Sequence, residues 1–167
     1  QQAKLELLRM GGLARECMDT AIRFFFTQND RLAESVAEIE ETIDILTDKI
    51  QEALISLRSN EYPPYDANKL SQLLLTASDI ERISDYAENI AESAGTFKAQ
   101  KASMSEMAME ELKNLGEAAL KSVDFSLRIF ESEDAGALPE ADLLEQHVDD
   151  LQTACVNAHI ERLMNEV

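Results

Sequence analysis

Leu70–Ala94, LSQLLLTASDIERISDYAENIAESA, is the stretch whose reading decides the fold. Apolar and small residues fall at Leu70, Leu73, Ala77, Ile80, Ser84, Ala87, Ala91 and Ala94. Steps alternating between three and four set them all on one face of a helix packed along its length. A second row runs beside that seam: Leu74, Ser78, Glu81, Asp85, Glu88 and Glu92. Its carboxylates stand three or four residues apart, where like charges cost roughly 0.2–0.5 kcal/mol a pair. Such a row asks for a cation. The plainer alternative is solvated acid, with Arg82 relieving Asp79 and Asp85, because structural networks also perturb carboxylates.

Working outward, the composition is that of an all-helical domain. The chain has 167 residues, 45% of them hydrophobic, with only 5 Gly and 3 Pro. That is long enough for a real core. With no Trp and 5% aromatics, the core must be mainly aliphatic. The formal net charge of −18 opposes nucleic-acid binding, which depends on neutralising phosphates. It also opposes anionic membrane surfaces. Metal cations and basic protein surfaces remain as partners. No stretch reaches the ~20 apolar residues of a membrane span. Cys17 and Cys155 both fall on apolar seams and read as buried free thiols.

In chain order, a first helix over about 2–27 carries Ala3, Leu7, Met10, Ala14, Cys17, Ala21 and Phe24 on one seam. Gly11 and Gly12 within it read as a close helix–helix contact, and Phe24, Phe25 and Phe26 wrap more than one face. Asn29 is placed to cap a second helix over about 30–58. Its seam is Leu32, Val36, Ile39, Ile43, Leu46, Ile50, Ala53 and Leu57. Asn60–Asp66, NEYPPYD, is a stop, with Asp66 capping the third helix and Tyr62 and Tyr65 packing the loop onto the bundle end. Gly95 lies near the end of that helix, although Phe97 extends the pattern. Ser103 and Glu106 form a capping box for a fourth helix to about 132. Its seam is Met104, Ala108, Leu112, Leu115, Ala119, Val123, Ser126 and Phe130. Pro139 suits the first turn of a fifth helix, with a seam of Leu144, Val148, Leu151, Cys155 and Ala158. Short loops favour an antiparallel bundle over a long coiled coil.

The fifth helix repeats the second. Ile39, Glu40, Ile43, Asp44, Leu46, Ile50 and Ala53 align with Leu144, Glu145, Val148, Asp149, Leu151, Cys155 and Ala158. The fourth repeats the first more loosely, through Gly12, Ala14 and Phe26 against Gly116, Ala118 and Phe130. The expected architecture is therefore all-α, built of antiparallel three-helix repeats. Residues 1–98 form a complete repeat, and 99–167 form a second repeat without its third helix.

Glu40 and Asp44 stand beside the second seam, Glu81 and Asp85 beside the third. Each pair reads Glu-x-x-x-Asp, which sets both acids on one face about 5–6 Å apart. Where those faces meet, four carboxylates converge in an all-oxygen site suited to Mg²⁺, Ca²⁺, Mn²⁺ or Fe³⁺. Glu145 and Asp149 supply half of an equivalent second site. The Glu-x-x-His pairs of ferritin-like enzymes are absent, since Leu144 and Val156 precede His147 and His159 at that spacing. Zinc spacings, phosphate-binding glycine loops and nucleophile elbows are absent as well. Both histidines read as ordinary bundle residues.

Asp79–Glu92, DIERISDYAENIAE, closely resembles the signature helix of the PhoU family, commonly D-L-E-R-I-G-D-H-A-x-N-I-A-E. A two-fold repeat of three-helix units is also that family's pattern. The resemblance implies a multinuclear metal site of iron, manganese or zinc at Glu40, Asp44, Glu81 and Asp85. Ser84 replaces the usual Gly but is still small, and Tyr86 replaces the usual His outside the acid row. The resemblance implies a non-catalytic regulator of phosphate transport. Lys4–Gly11, together with a start at Gln1 rather than Met, is similar to the domain that follows the last membrane span of Na⁺/phosphate cotransporter-related proteins. On that reading the partner is a transporter domain of the same polypeptide, and the chain is cytoplasmic, tethered to the inner face of the plasma membrane. The alternatives are a free-standing regulator of a phosphate ABC transporter and its sensor kinase, or a metal-free helical adaptor. An incomplete second repeat leaves apolar seam on helices four and five, to be covered by a second copy in a homo-oligomer or by further chain.

Overall fold

The computed structural model describes residues 2–58 and 64–165, with side chains described over 2–56 and 67–165. Every long element is a helix: α1 (Gln2–Thr27), α2 (Asp30–Arg58), α3 (Pro64–Ala99), α4 (Glu106–Ser132) and α5 (Leu138–Asn165), with a 3₁₀ turn at Ala135–Ala137. The chain divides into two compact units, Gln1–Gln100 and Lys101–Val167.

In the first unit each of α1, α2 and α3 packs on the other two. The Cys17 thiol donates to the Val36 carbonyl at 3.6 Å, and the Thr47 hydroxyl lies 3.6 Å from the Met10 sulfur, so α1 and α2 run antiparallel. Gln51 donates to the Ser78 hydroxyl at 3.4 Å and Lys98 to the Asp30 carboxylate, so α2 and α3 run antiparallel. Phe25 meets Phe97 at a ring separation of 5.6 Å, so α1 and α3 end together. The core follows the expected α1 and α3 seams. Leu7, Met10, Ala14, Cys17, Ala21 and Phe24 are buried against Ala77, Ile80, Ser84, Ala87, Ala91 and Ala94. Each large aliphatic side chain buried this way contributes about 1.5–3 kcal/mol. The small residues of α3 let its neighbours approach closely.

The α2 seam departs from the heptad reading. Ala53 is exposed, while Leu54 and Thr47 are buried beside Val36 and Ile43. A straight helix drifts by about 20° per heptad against a strict seven-residue repeat. Packing between two neighbours also buries a wider stripe than one seam. Gly11 is buried on α1, but Gly12 is exposed with open space around it, so only Gly11 is on the packed face.

Asn29 caps α2, its side-chain oxygen accepting from the Arg31 N–H at 3.3 Å. Gln28 before it is left-handed at φ 53° and donates its N–H to Phe24 O at 2.7 Å. Lys98, near the end of α3, donates its ammonium to the Gln28 carbonyl and to the Asp30 carboxylate. Gly95 does not end α3; it lies inside the helix, which runs on to Ala99. Pro64 begins α3, so Asp66 falls within its first turn rather than capping it. That suits a proline, whose missing N–H has no helical partner to lose there. The stop at residues 59–63, the packing of Tyr62 and Tyr65, and the Leu57 side chain lie outside the described residues.

The second unit is an α4–α5 hairpin. Its first cap is Ser105 rather than Ser103: the Ser105 hydroxyl accepts from the Ala108 N–H at 3.2 Å. Glu106 is thereby the first helical residue, two positions too early to complete a capping box. Asp134 shapes the loop by accepting from the Gly136 N–H at 2.9 Å. Arg162 grips Glu111 through two hydrogen bonds, at 3.0 and 2.8 Å, tying the end of α5 to the start of α4. The expected α5 seam, Leu144 to Ala158, does face inward, but neither helix buries a residue fully. Cys155 is accordingly half-buried, while Cys17 is fully buried. Two helices alone cannot enclose a core. Among the described residues no helix is long and apolar enough to cross a membrane.

Candidate functional site

The α2–α3 face is where the acid rows meet. Ser84 is wholly buried, and its hydroxyl donates to the Glu81 carbonyl one turn back at 2.7 Å. Its small, internally bonded side chain suits the close packing of α3 on its neighbours. Glu40 and Asp44 of α2 then face Asp85 of α3, with one carboxylate oxygen of each within 4.8 Å of the others. Glu40 and Asp85 are half-buried, and Asp44 is exposed to solvent.

Burial, then the negative charge of Asp44 and Glu88, pushes the Glu40 carboxyl up from 4.5 to about 7; a hydrogen bond with Asp44 and the charge of Asp85 add to this. The Glu40 carboxyl therefore keeps its proton to higher pH than an ordinary carboxylate. Glu81 stands beside the cluster, outside the convergent group. Its carboxyl is raised by burial and by Asp85 and Asp44, against the opposing pull of Arg82. Arg82 is exposed and donates to the Tyr86 hydroxyl at 3.3 Å. On the α1 side the Cys17 thiol is pushed up to about 11, by burial first and then by Glu40, Glu88 and Glu16. A buried thiol held neutral in this way acts as packing under the acids.

Of the sequence-derived residues, the structure gathers Glu40, Asp44 and Asp85 and leaves Glu81 adjacent. Glu88 belongs to the same field. The Glu-x-x-x-Asp pattern missed it, although its place in the α3 acid row marked it. Glu145 and Asp149 are both exposed on α5, and among the described residues no third potential ligand gathers with them.

Oxygen ligands of one ion at about 2.0–2.6 Å lie no more than about 4–5 Å apart. The convergent trio meets that limit without rearrangement. An all-carboxylate set favours hard cations over those that prefer thiolate or imidazole. The same three groups, without an ion, repel one another, and that repulsion adds to burial in raising the Glu40 carboxyl.

The family profile for the PhoU domain matches residues 7–94, which span α1 to α3 and all the clustered acids. A phosphate-specific transport system accessory protein PhoU homolog of Aquifex aeolicus is 34% identical over 95 residues, 56% of this chain and 43% of that protein. PhoU homolog 1 of Thermotoga maritima, named likewise, is 27% identical over 161 residues, 96% of this chain and 68% of the relative. The chain thus spans less than half of the first relative's length and about two thirds of the second's. The crystal structure of PhoU from Pseudomonas aeruginosa superposes with a TM-score of 0.90 at 22% identity, covering 98% of this chain and 78% of that one, a likeness of fold. With more than half of its residues matched by the family profile, this chain belongs to the PhoU family.

Proposed function

We propose that this chain is a PhoU-type regulator of phosphate transport that works by binding rather than catalysis, with a cation held at Glu40, Asp44 and Asp85. The convergence of those three carboxylates carries the reading. Glu81 and Glu88, whose charges couple to the trio, are the further ligands of a site of more than one ion, while Glu145 and Asp149 await a facing element. Iron, manganese or another oxygen-liganded cation fits the donor set better than zinc in a thiolate or imidazole site. The regulated partner is a phosphate transporter at the cytoplasmic face of the membrane. The Aquifex and Thermotoga relatives carry the names of accessory proteins. Those names support an accessory setting over the transporter-linked setting expected from Lys4–Gly11. Residues 99–167 are read as a partial second repeat of the unit formed by 1–98.

Elemental analysis of the purified chain beside Glu40→Ala/Asp85→Ala tests the site. Near-stoichiometric metal in the parent and none in the variant is the expected result. Equal content in both, or none in either after loading, returns the cluster to solvated acid and leaves a metal-free adaptor. Phosphate uptake in cells carrying either form tests the regulatory role separately.

A further inference from the structure

α2 belongs to the three-helix unit, and its inner sides are taken by α1 and α3. Its outward ridge reads Glu34, Glu38, Glu41, Ile45, Asp48, Glu52 and Ile55, in steps of three and four that keep to one face. All of these residues are exposed, Ile45 at 47% and Ile55 at 57%. The carboxylates extend over about 27 Å of helix, and the two isoleucines stand about 15 Å apart. Among the described residues none of these acids has an ion pair, although Arg31 and Lys49 lie to one side of the ridge. Glu34/Glu38, Glu38/Glu41 and Asp48/Glu52 are therefore unrelieved like-charge neighbours, which destabilise a helix. α1 shows the ordinary solvated alternative: its acids Glu6 and Asp19 pair with Arg9, Arg15 and Arg23. The two isoleucines are a separate observation, since aliphatic surface left in water gains nothing from folding.

We propose that this ridge docks a basic amphipathic helix of a partner protein, one whose Lys or Arg residues recur every three or four positions around two aliphatic residues about three turns apart. Charge complementarity selects that occupant. The basic residues relieve the row of carboxylates, and the aliphatic pair covers Ile45 and Ile55, the anchors of an amphipathic helix-on-helix contact. A second copy of this chain fits poorly, because ridge against ridge sets carboxylate on carboxylate and each copy brings a net charge of −18. An anionic membrane surface is repelled for the same reason. The ridge contains none of Glu40, Asp44 and Asp85, so the inference does not depend on a cation between α2 and α3.

The test uses the full chain in chelator and a labelled synthetic helical peptide that carries Lys and two Leu on one face in that pattern. Its Lys→Glu counterpart serves as the control, and binding is read by fluorescence anisotropy. Saturable binding of the Lys peptide alone is expected. Asp48→Lys/Glu52→Lys and, separately, Ile45→Gln/Ile55→Gln should each weaken it by about tenfold or more, the scale of a lost anchor. Glu110→Lys/Glu117→Lys makes the same charge change at exposed positions of α4 and should leave affinity within about twofold. Glu40→Ala/Asp85→Ala should bind as the parent does, which separates this result from the fate of the cation site. Circular dichroism of each variant checks that these changes leave the helices formed. Failure of the Lys peptide to bind would overturn the proposal. Equal weakening by the Glu110/Glu117 reversal would do so by reducing the effect to bulk charge, and indifference to Ile45→Gln/Ile55→Gln by reducing it to acid alone. A dimer seen by sedimentation that Ile45→Gln/Ile55→Gln dissolves would also overturn it, because the occupant would then be a second copy.

Discussion

Glu40 is the residue at which the acid cluster shows its cost. Its carboxyl titrates at about 7 in the folded chain against 4.5 when unperturbed. The folded state therefore binds the extra proton between those values. Linkage then makes metal-free stability fall as pH rises through that window, the reverse of an ion-paired acid. Thermal melts in chelator should show the melting temperature declining from pH 5 to 7.5, and Glu40→Gln should flatten that decline. Solvent screening at this half-buried site keeps the effect modest. Added Mn²⁺ should raise the melting temperature more at the upper end of the window than at the lower, because ion and proton compete for the same oxygens. The pairing of Glu40 with Asp44 was legible in the sequence from i,i+4 spacing; their meeting with Asp85 was expected only where the α2 and α3 faces meet, and was expected to include Glu81 as well. The raised carboxyl was not, because it depends on how deeply α2 seats against α3 and on Glu88 across the gap.

At the scale of elements, α3 depends on its small seam. Ser84 is fully buried on that seam. Ser84→Leu should cost about 1–3 kcal/mol by overpacking, read from urea unfolding, and should lower cation affinity as the helices separate. Leu54, buried at 1% exposure, should cost about 2–5 kcal/mol when cut to Ala. Ala53→Ser should be nearly silent. That contrast tests the α2 face the structure shows against the heptad expectation. Helix ends were the least legible elements. Gln28, Lys101 and Glu133 take left-handed backbone just past α1, α3 and α4, where a glycine would have marked the stop. None of the three announces itself in sequence. Gln28→Gly should stabilise the first unit by about 0.5–1 kcal/mol by relieving that strain. The seams themselves were legible because periodicity reports faces, and faces survive small errors at the ends.

For the whole molecule, the two units differ in how much they enclose. The first buries three helices' worth of apolar seam, and the second buries no residue fully. Amide hydrogen exchange should therefore be slow through α1 and the centre of α3 and faster throughout α4 and α5. Cation loading should slow exchange in α2 and α3 and leave α5 unchanged. The repeat relation was visible in the matched Glu40/Glu145 and Asp44/Asp149 pairs. The difference in enclosure was foreseen only from the absence of a third partner for α4 and α5.

The acid row of α3 recurs at every turn, so by its own pattern it is translationally degenerate. A shift of α3 along its axis by one turn, about 5.4 Å, would present Glu81 or Glu88 to Asp44 in place of Asp85. A seam rich in alanine offers little relief to resist such a shift. Contacts elsewhere along the helix hold one register: Gln51 on Ser78, Phe25 against Phe97, and, some 20 Å and thirteen residues from Asp85, Lys98 bonded to the Gln28 carbonyl and Asp30 at the α1–α2 turn. The identity of the third carboxylate in the cluster is thus held in part by contacts that never touch it.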